Sequence, residues 1–412
     1  MAERPDAAPG RWGVVLAGAV SLAVAMGIGR FAFTPLLPMM LHDGVVDLPS
    51  ASWLASANYL GYLAGALLCT FQPWISARLR RLPPVDGPWL VRAGLVATGL
   101  LTLGMAEPAT RAWPLLRFAA GLASAIVFVY TSGWCLAQLA RQDASALGGA
   151  IYTGPGAGIV VSGVLASAMV QGAWRAASAW ATFGVLAFVL TATVWRVLRP
   201  GHRAAPAPGA VAATTRSSEP PAGATEIGVL AVAYGLAGFG YIVTATFLPV
   251  IARAALPESP WLDLFWPIFG AGVVAGALLS TRVRIAGDLR LLLAGSYAVQ
   301  AIGIGVGIVS PSLTGFALGS LLLGLPFTAI TFFAMQEVRR LRPALAASFM
   351  GLLTATYGVG QIAGPPLVAA LLRRSADPGA GFRWSLEIAA SALLLGMLLY
   401  LGLSRVYPVR RT

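Results

Sequence analysis

Two arginines stand inside long apolar runs, and they hold most of the chemistry this chain could perform there. Arg30 lies within the run from Trp12 to Leu41, and Arg117 within the run from Ala112 to Leu139. A guanidinium in hydrocarbon costs about 2.5–3.5 kcal/mol on the insertion scale, so it needs a wet cavity or a partner. Arg30 is eight residues from Pro38, roughly 12 Å from that end of a helix at 1.5 Å per residue. That is too deep to reach water by stretching. Arg117 is five residues into its run, roughly 8 Å, where snorkelling is within reach. The guanidinium fork matches carboxylate and phosphate geometry. Binding of a small anion is therefore the expected chemistry. The competing reading for each is a structural hydrogen bond to the carbonyls of a neighbouring helix.

Further polar residues fall on consistent helical faces. Arg30 shares a face with Ala23, Gly27 and Thr34, and Arg117 with Gly121, Ser124, Phe128 and Thr131. Asn58, Tyr62 and Gly65 form one stripe, and Thr354, Gly358, Gln361 and Pro365 form another. Tyr241, Thr331 and Gln336 complete the candidates for substrate contact. Each of these also suits interhelical hydrogen bonding. Carboxylates are scarce at depth: only Glu387, early in the last apolar run, is near it. If protons drive the chemistry, Glu387 or the substrate itself carries them. His42 and His202 fall in loops, and Cys69 and Cys135 read as buried small apolar residues. No metal-ligand spacing appears, so neither metal nor cofactor is expected.

The elements that position these residues follow from composition. Of 412 residues 58% are hydrophobic and 10% charged, against about 25% charged in soluble domains, so the solvent is lipid. The net charge of +13 could suit nucleic acid. The arginines, however, sit mostly in short loops between apolar runs, so no nucleic-acid partner is expected. A helix crosses the hydrocarbon core in about 20 residues. Twelve such segments run about Gly13–Leu41, Ser50–Phe71, Pro88–Ala106, Ala112–Leu139, Ala144–Val170 and Ala176–Leu198, then Ile227–Ile251, Trp261–Thr281, Asp288–Val309, Ser312–Gln336, Leu345–Leu372 and Trp384–Ser404. Open strands cannot cross lipid, so all are helices. The first run is too long for the about 7–15 residues of a cleaved signal segment. Residues 199–226, with five prolines and no apolar periodicity, read as a flexible linker. It separates an N-terminal six-helix bundle (1–198) from a C-terminal one (227–412). With the N-terminus inside, 20 of the 28 arginines fall on the inner side and 6 on the outer. The bias puts both termini in the cytoplasm, despite a local violation at Arg373.

The halves repeat one another. Leu63-Ala-Gly-Ala-Leu-Leu-Cys-Thr70 and Val274-Ala-Gly-Ala-Leu-Leu-Ser-Thr281 agree at six of eight positions, at a spacing of 211. The same spacing carries Gly27-Ile-Gly29 onto Gly238-Phe-Gly240, Leu37-Pro38 onto Leu248-Pro249, and Arg30 onto Tyr241. Gly154-Pro155 lands on Gly364-Pro365 at a spacing of 210. Two related bundles with a midplane site between them follow from such a pattern, with rocking that exposes the site to each side in turn.

On these residues the chain resembles the major facilitator superfamily along essentially its whole length. Gly27-Ile-Gly-Arg-Phe-Ala-Phe-Thr-Pro-Leu-Leu-Pro-Met-Met40 resembles the signature of its YbfB-like branch. Arg117-Phe-Ala-Ala-Gly121 is similar to the Arg-x-x-x-Gly motif linked to proton coupling, which makes Arg117 a coupling candidate as well. Gly154-Pro-Gly-Ala-Gly158 is similar to the Gly-Pro-x-x-Gly motif associated with antiporters, and Gly154, Pro155, Gly158, Gly364 and Pro365 are structural in either reading. The acidic and basic signature expected after the second helix is degraded: Arg78, Arg80 and Arg81 remain, and Asp86 comes too late to supply the aspartate. The resemblance implies that the first, fourth, seventh and tenth helices line the cavity.

The expectation is an inner-membrane secondary transporter, monomeric, that moves a small anion by alternating access, with proton-coupled export implied by the motifs. Import and export stay open on the residues alone. A membrane enzyme is disfavoured, because no histidine and almost no carboxylate lies at depth. A non-transporting sensor on the same fold is the remaining alternative.

Overall fold

The computed structural model describes residues 9–78, 86–199, 223–256, 259, 261–282, 287–341, 346–375 and 377–408. Most of the linker and the loop holding Arg80 and Arg81 lie outside the described residues, as do Glu258 and His202. Within them the protein is all helical. The first segment is α1 (Arg11–Leu22), a π-helical stretch at Ala23–Ile28, and α2 (Phe33–His42). Then come α3 (Leu48–Arg78), α4 (Gly87–Gly104), α5 (Trp113–Arg141), α6 (Thr153–Gln171) and α7 (Ala176–Val194). The second half holds α8 (Ala224–Ala255), α9 (Phe265–Ser280), α10 (Leu289–Val309), α11 (Leu313–Gly324), α12 (Phe327–Leu341), α13 (Ala346–Arg374) and α14 (Pro378–Val406). Among the described residues, eleven segments are long and apolar enough to cross a membrane. The twelfth expected crossing is α4, with 18 residues.

Two expected helices are not continuous. The tenth segment divides into α11 and α12 at Leu325-Pro326, where proline offers no N–H to carry the ladder on. The first is wound through its π stretch, with Gly29 N–H bonded to Val24 O and Phe31 N–H to Met26 O, both 2.9 Å. Residues 29–32 then form turns before α2 starts. Helical face arithmetic through Arg30 fails at this break.

The tryptophans mark where the bilayer ends. Trp12, Trp74, Trp89 and Trp195 are exposed at helix ends on the side where the linker joins. Trp53, Trp174, Trp261 and Trp384 are exposed at the other. Indole rings prefer the headgroup level, so two belts of four set the depth of everything between them.

Helices meet through small residues, as they must where no hydrophobic effect drives them together. A Cβ at Gly121 would stand 2.0 Å from Asn58 O, so α5 can lie on α3 only with glycine there. A Cβ at Gly27 would stand 2.4 Å from Gly158 Cα, which lets the π stretch lie directly on α6. Gly154 packs on Ala19 of α1, and Gly364 on Ile242 and Val243 of α8. Pro155 is buried in the first turn of α6, and Pro365 lies buried within α13. Across the halves, α3 packs on α13, α6 on α9, and α2 on α8.

One ionic cluster pins the linker-side ends of the second half. Arg290, 1% exposed, donates to both oxygens of Asp288 (2.8 and 3.0 Å), to Glu226 (2.9 Å), and to the carbonyls of Leu403 and Tyr407. Glu337 stands 3.5 Å from it and is held by Arg340 at 2.7 Å. Every charge here has a partner, so the cluster ties α8, α10, α12 and α14 together and offers nothing to a ligand.

Candidate functional site

The break in the first segment exposes backbone carbonyls, and α5 answers them. Arg117 and Ser124 lie two turns apart on one face of α5. Arg117 donates to Gly29 O (3.3 Å) and Arg30 O (3.1 Å), and the Ser124 hydroxyl donates to Ala25 O (2.6 Å). The guanidinium carbon of Arg117 lies 4.9 Å over the Phe33 ring. Asn58 on α3 fixes α5 in turn through its amide on Arg117 O, 2.9 Å. Arg117 therefore serves the backbone that carries Arg30.

Held in this way, Arg30 projects from the break between the two halves. Its Nη2 donates to Gln361 Oε1 of α13 at 2.7 Å, and the Gln361 amide donates to the Tyr241 hydroxyl of α8. Its guanidinium carbon lies 4.0 Å over the Tyr62 ring. Arg30 is 3% exposed and Arg117 2%, and the Nε of each is buried without a hydrogen-bond partner. Among the described residues, no carboxylate pairs with either arginine. The contrast with Arg290 is sharp: that buried guanidinium, at the linker-side helix ends, is neutralised by acids, and these two are not.

The surroundings differ on the two sides of Arg30. Away from the linker, bonds between the halves close the structure: Thr34 Oγ1 to Ala245 O (3.0 Å), Tyr59 hydroxyl with Thr246 Oγ1 (2.9 Å), and Ser56 Oγ to Ile362 O (3.1 Å). On the linker side Tyr62, Tyr130, Tyr152 and Tyr357 are only half-buried. There Tyr357 stacks on Tyr241 at 5.8 Å and packs on Tyr234 at 4.8 Å, and Tyr234 donates to Thr331 Oγ1 (3.1 Å). The arrangement is a buried positive centre beside a cluster of tyrosines.

Of the residues singled out from sequence, the structure brings together Arg30, Thr34, Asn58, Tyr62, Arg117, Tyr241 and Gln361, with Thr331 linked through Tyr234. Gln336 is half-buried further along α12. Glu387 is exposed and paired with Arg383 one turn earlier (3.0 Å), on a helix that packs on α8, α10 and α13. It is not part of the Arg30 cluster. Tyr59, Tyr234 and Tyr357 join the site without having stood out in the sequence. For two of them a spacing signal exists, since Tyr234 and Tyr241 are seven apart on α8 and Tyr357 and Gln361 four apart on α13.

A family model described as the uncharacterised MFS-type transporter YbfB matches residues 22–401. No curated protein matches the chain. Among solved structures, a mutant form of the nucleoside transporter NupG is similar at a TM-score of 0.69 and 14% identity, covering 94% of this chain and 99% of that one. A bacterial homologue of the human lysosomal transporter Spinster, in an inward-facing and unoccupied conformation, is similar at 0.66 and 13%, covering 98% of each. At these identities the likeness is one of fold. The family match spans the broken first segment, Arg117 and the half-to-half contacts alike, and the chain belongs to the YbfB-like family of major facilitator transporters, as a multi-pass membrane protein.

Proposed function

We propose that this protein is a secondary transporter that moves a small organic anion by alternating access. The observation that carries the reading is the pair of buried guanidinium groups, Arg30 and Arg117, with no acid beside them. A buried positive charge with an orphaned N–H gains most from an anionic partner. The bundles 1–198 and 227–412 are the rocking units. Thr34 bonds to Ala245 across a separation of 211 residues, the spacing at which the sequence repeats. Contact between repeat-related positions favours an axis between α2 and α8. The buried contacts beyond Arg30 and the half-exposed tyrosines on the linker side suit a site open towards the linker, which the arginine bias puts in the cytoplasm of an inner-membrane protein. Proton-coupled antiport is the mode we assign, with Arg117 acting through the break and Glu387 at most peripheral.

A thermal-shift screen of purified protein against small carboxylates, phosphate esters and organic cations tests this reading. Anions should raise the midpoint, and Arg30→Ala should abolish the shift while still folding. A panel in which organic cations stabilise the protein and anions do not would refute it. Counterflow of the stabilising anion into proteoliposomes separates a transporter, which exchanges labelled ligand, from a sensor, which only binds it.

A further inference from the structure

On the lipid-facing surface, away from the central site, α4 and α7 part near their linker-side ends. Phe188 lies against α4 where Gly99 leaves room, since a Cβ there would stand 2.9 Å from the ring. Beside it opens a groove of about 320 Å³ lined by Val96, Phe188, Thr191, Ala192, Trp195 and Arg196. Its floor is apolar, because the Thr191 hydroxyl is already spent on Ala187 O at 2.6 Å. Leu100, Val185 and Val189 continue outward from it as exposed apolar residues.

The mouth is cationic. Arg92 lies one turn from Val96 on α4, and its guanidinium carbon sits 4.5 Å over the Trp195 ring while Nη2 donates to Trp195 O. Its Nε is buried with no hydrogen-bond partner. Arg196 is exposed on the rim, and Arg199 donates to Arg196 O at 3.2 Å. Arg199 is close enough to repel Arg92, and Asp86 is the acid that acts on it. Asp86 also caps α4 at the Trp89 N–H. Among the described residues, Arg92 and Arg196 bring positive charge to the mouth, with Asp86 the acid that acts on Arg92, at the level of Trp195 in the linker-side tryptophan belt.

We propose that this groove is a binding site for an anionic glycerophospholipid. The phosphate sits between Arg92 and Arg196, and one acyl chain lies along Val96, Phe188 and Ala192. Charge complementarity at the mouth selects the headgroup, and the apolar floor selects a lipid over a free phosphate ion. Basic pockets between membrane helices are a recurring way to hold such headgroups. This site is independent of the transport reading.

Native mass spectrometry of the detergent-purified protein tests it, with phosphatidylglycerol and phosphatidylcholine of the same chains titrated separately. Phosphatidylglycerol should bind more tightly. Arg196→Gln, a change at an exposed residue, should weaken it about fivefold, as expected from about 1 kcal/mol per basic residue near a headgroup. Arg141→Gln, on the same side of the bilayer but outside the groove, should leave binding unchanged. Equal retention of phosphatidylcholine would overturn the proposal. So would an Arg141→Gln loss as large as that of Arg196→Gln, which would mean general surface charge. Displacement of the lipid by millimolar inorganic phosphate would make this a site for a soluble ion and overturn it as well.

Discussion

Replacing Arg117 by methionine separates its structural work from any contact with substrate. The side chain makes two charge-assisted bonds, to Gly29 O and Arg30 O. Bonds to charged groups contribute about 1.5–3 kcal/mol each, about 3–6 kcal/mol for the pair. Against this, methionine removes a buried charge whose insertion costs about 2.5–3.5 kcal/mol. The volume is nearly conserved, so packing changes little. Taken at the middle of each range, the balance is a loss of about 1.5 kcal/mol, felt at the break in the first segment. Thermal unfolding in detergent should show a lower midpoint without added ligand. Anion binding should weaken too, because Arg30 loses the backbone that aims it. Arg30→Ala should instead abolish binding while leaving the break intact. If Arg117→Met leaves the midpoint unchanged or raises it while anion binding disappears, the two carbonyls do not need Arg117. Its role is then direct contact with the ligand.

Two further outcomes follow from local geometry. Gly158→Leu should lower the midpoint as well, because a Cβ there stands 2.6 Å from Ala23 O and 2.7 Å from Gly27 Cα. Overpacking of this kind costs about 1–3 kcal/mol or more, and an unchanged midpoint would mean that the π stretch does not lie on α6. At the other end, Asp47 accepts from the Ser50 N–H at 2.8 Å, and hydrogen bonding by the Ser50 side chain, then by its backbone, holds the carboxyl below the usual value of 3.8. A depressed carboxyl contributes stability above its unfolded pKa and loses it as pH falls through the folded one. The midpoint difference between wild type and Asp47→Ala, about 0.5 kcal/mol for an exposed cap, should hold at neutral pH and vanish in acid below that range. A difference that persists there would come from the helix end by some other route.

The central cluster also explains why this site tolerates its charges. Arg30 is held from three directions: by Tyr62 from α3, by Gln361 from α13, and by its own backbone through Arg117. Both Gln361 and the aromatic rings behind it belong to the second half. A movement of one half against the other therefore changes the surroundings of the guanidinium directly. An anion seated on Arg30 would compete with Gln361 for the same donors, which couples occupancy to the contact between the halves.

Much of this protein was fixed by composition alone. Lipid as the solvent, helices as the only spanning element, and the repeat spacing are all local or additive properties, so runs of apolar residues and matched segments reveal them without a fold. Arg30 stood out for the same reason, since the cost of a deep charge depends on depth and little else. Sequence could not show the break at residues 23–32, because a π stretch depends on α5 and α6 pressing on a glycine-rich helix and supplying donors to its carbonyls. Nor could it give Arg117 its place beneath Arg30, or tell that Glu226, Asp288 and Glu337 gather on Arg290 while Glu387 stays outside with Arg383. Those outcomes rest on contacts between residues far apart in the chain. Whether a buried guanidinium is neutralised or left available is decided by which helices pack beside it.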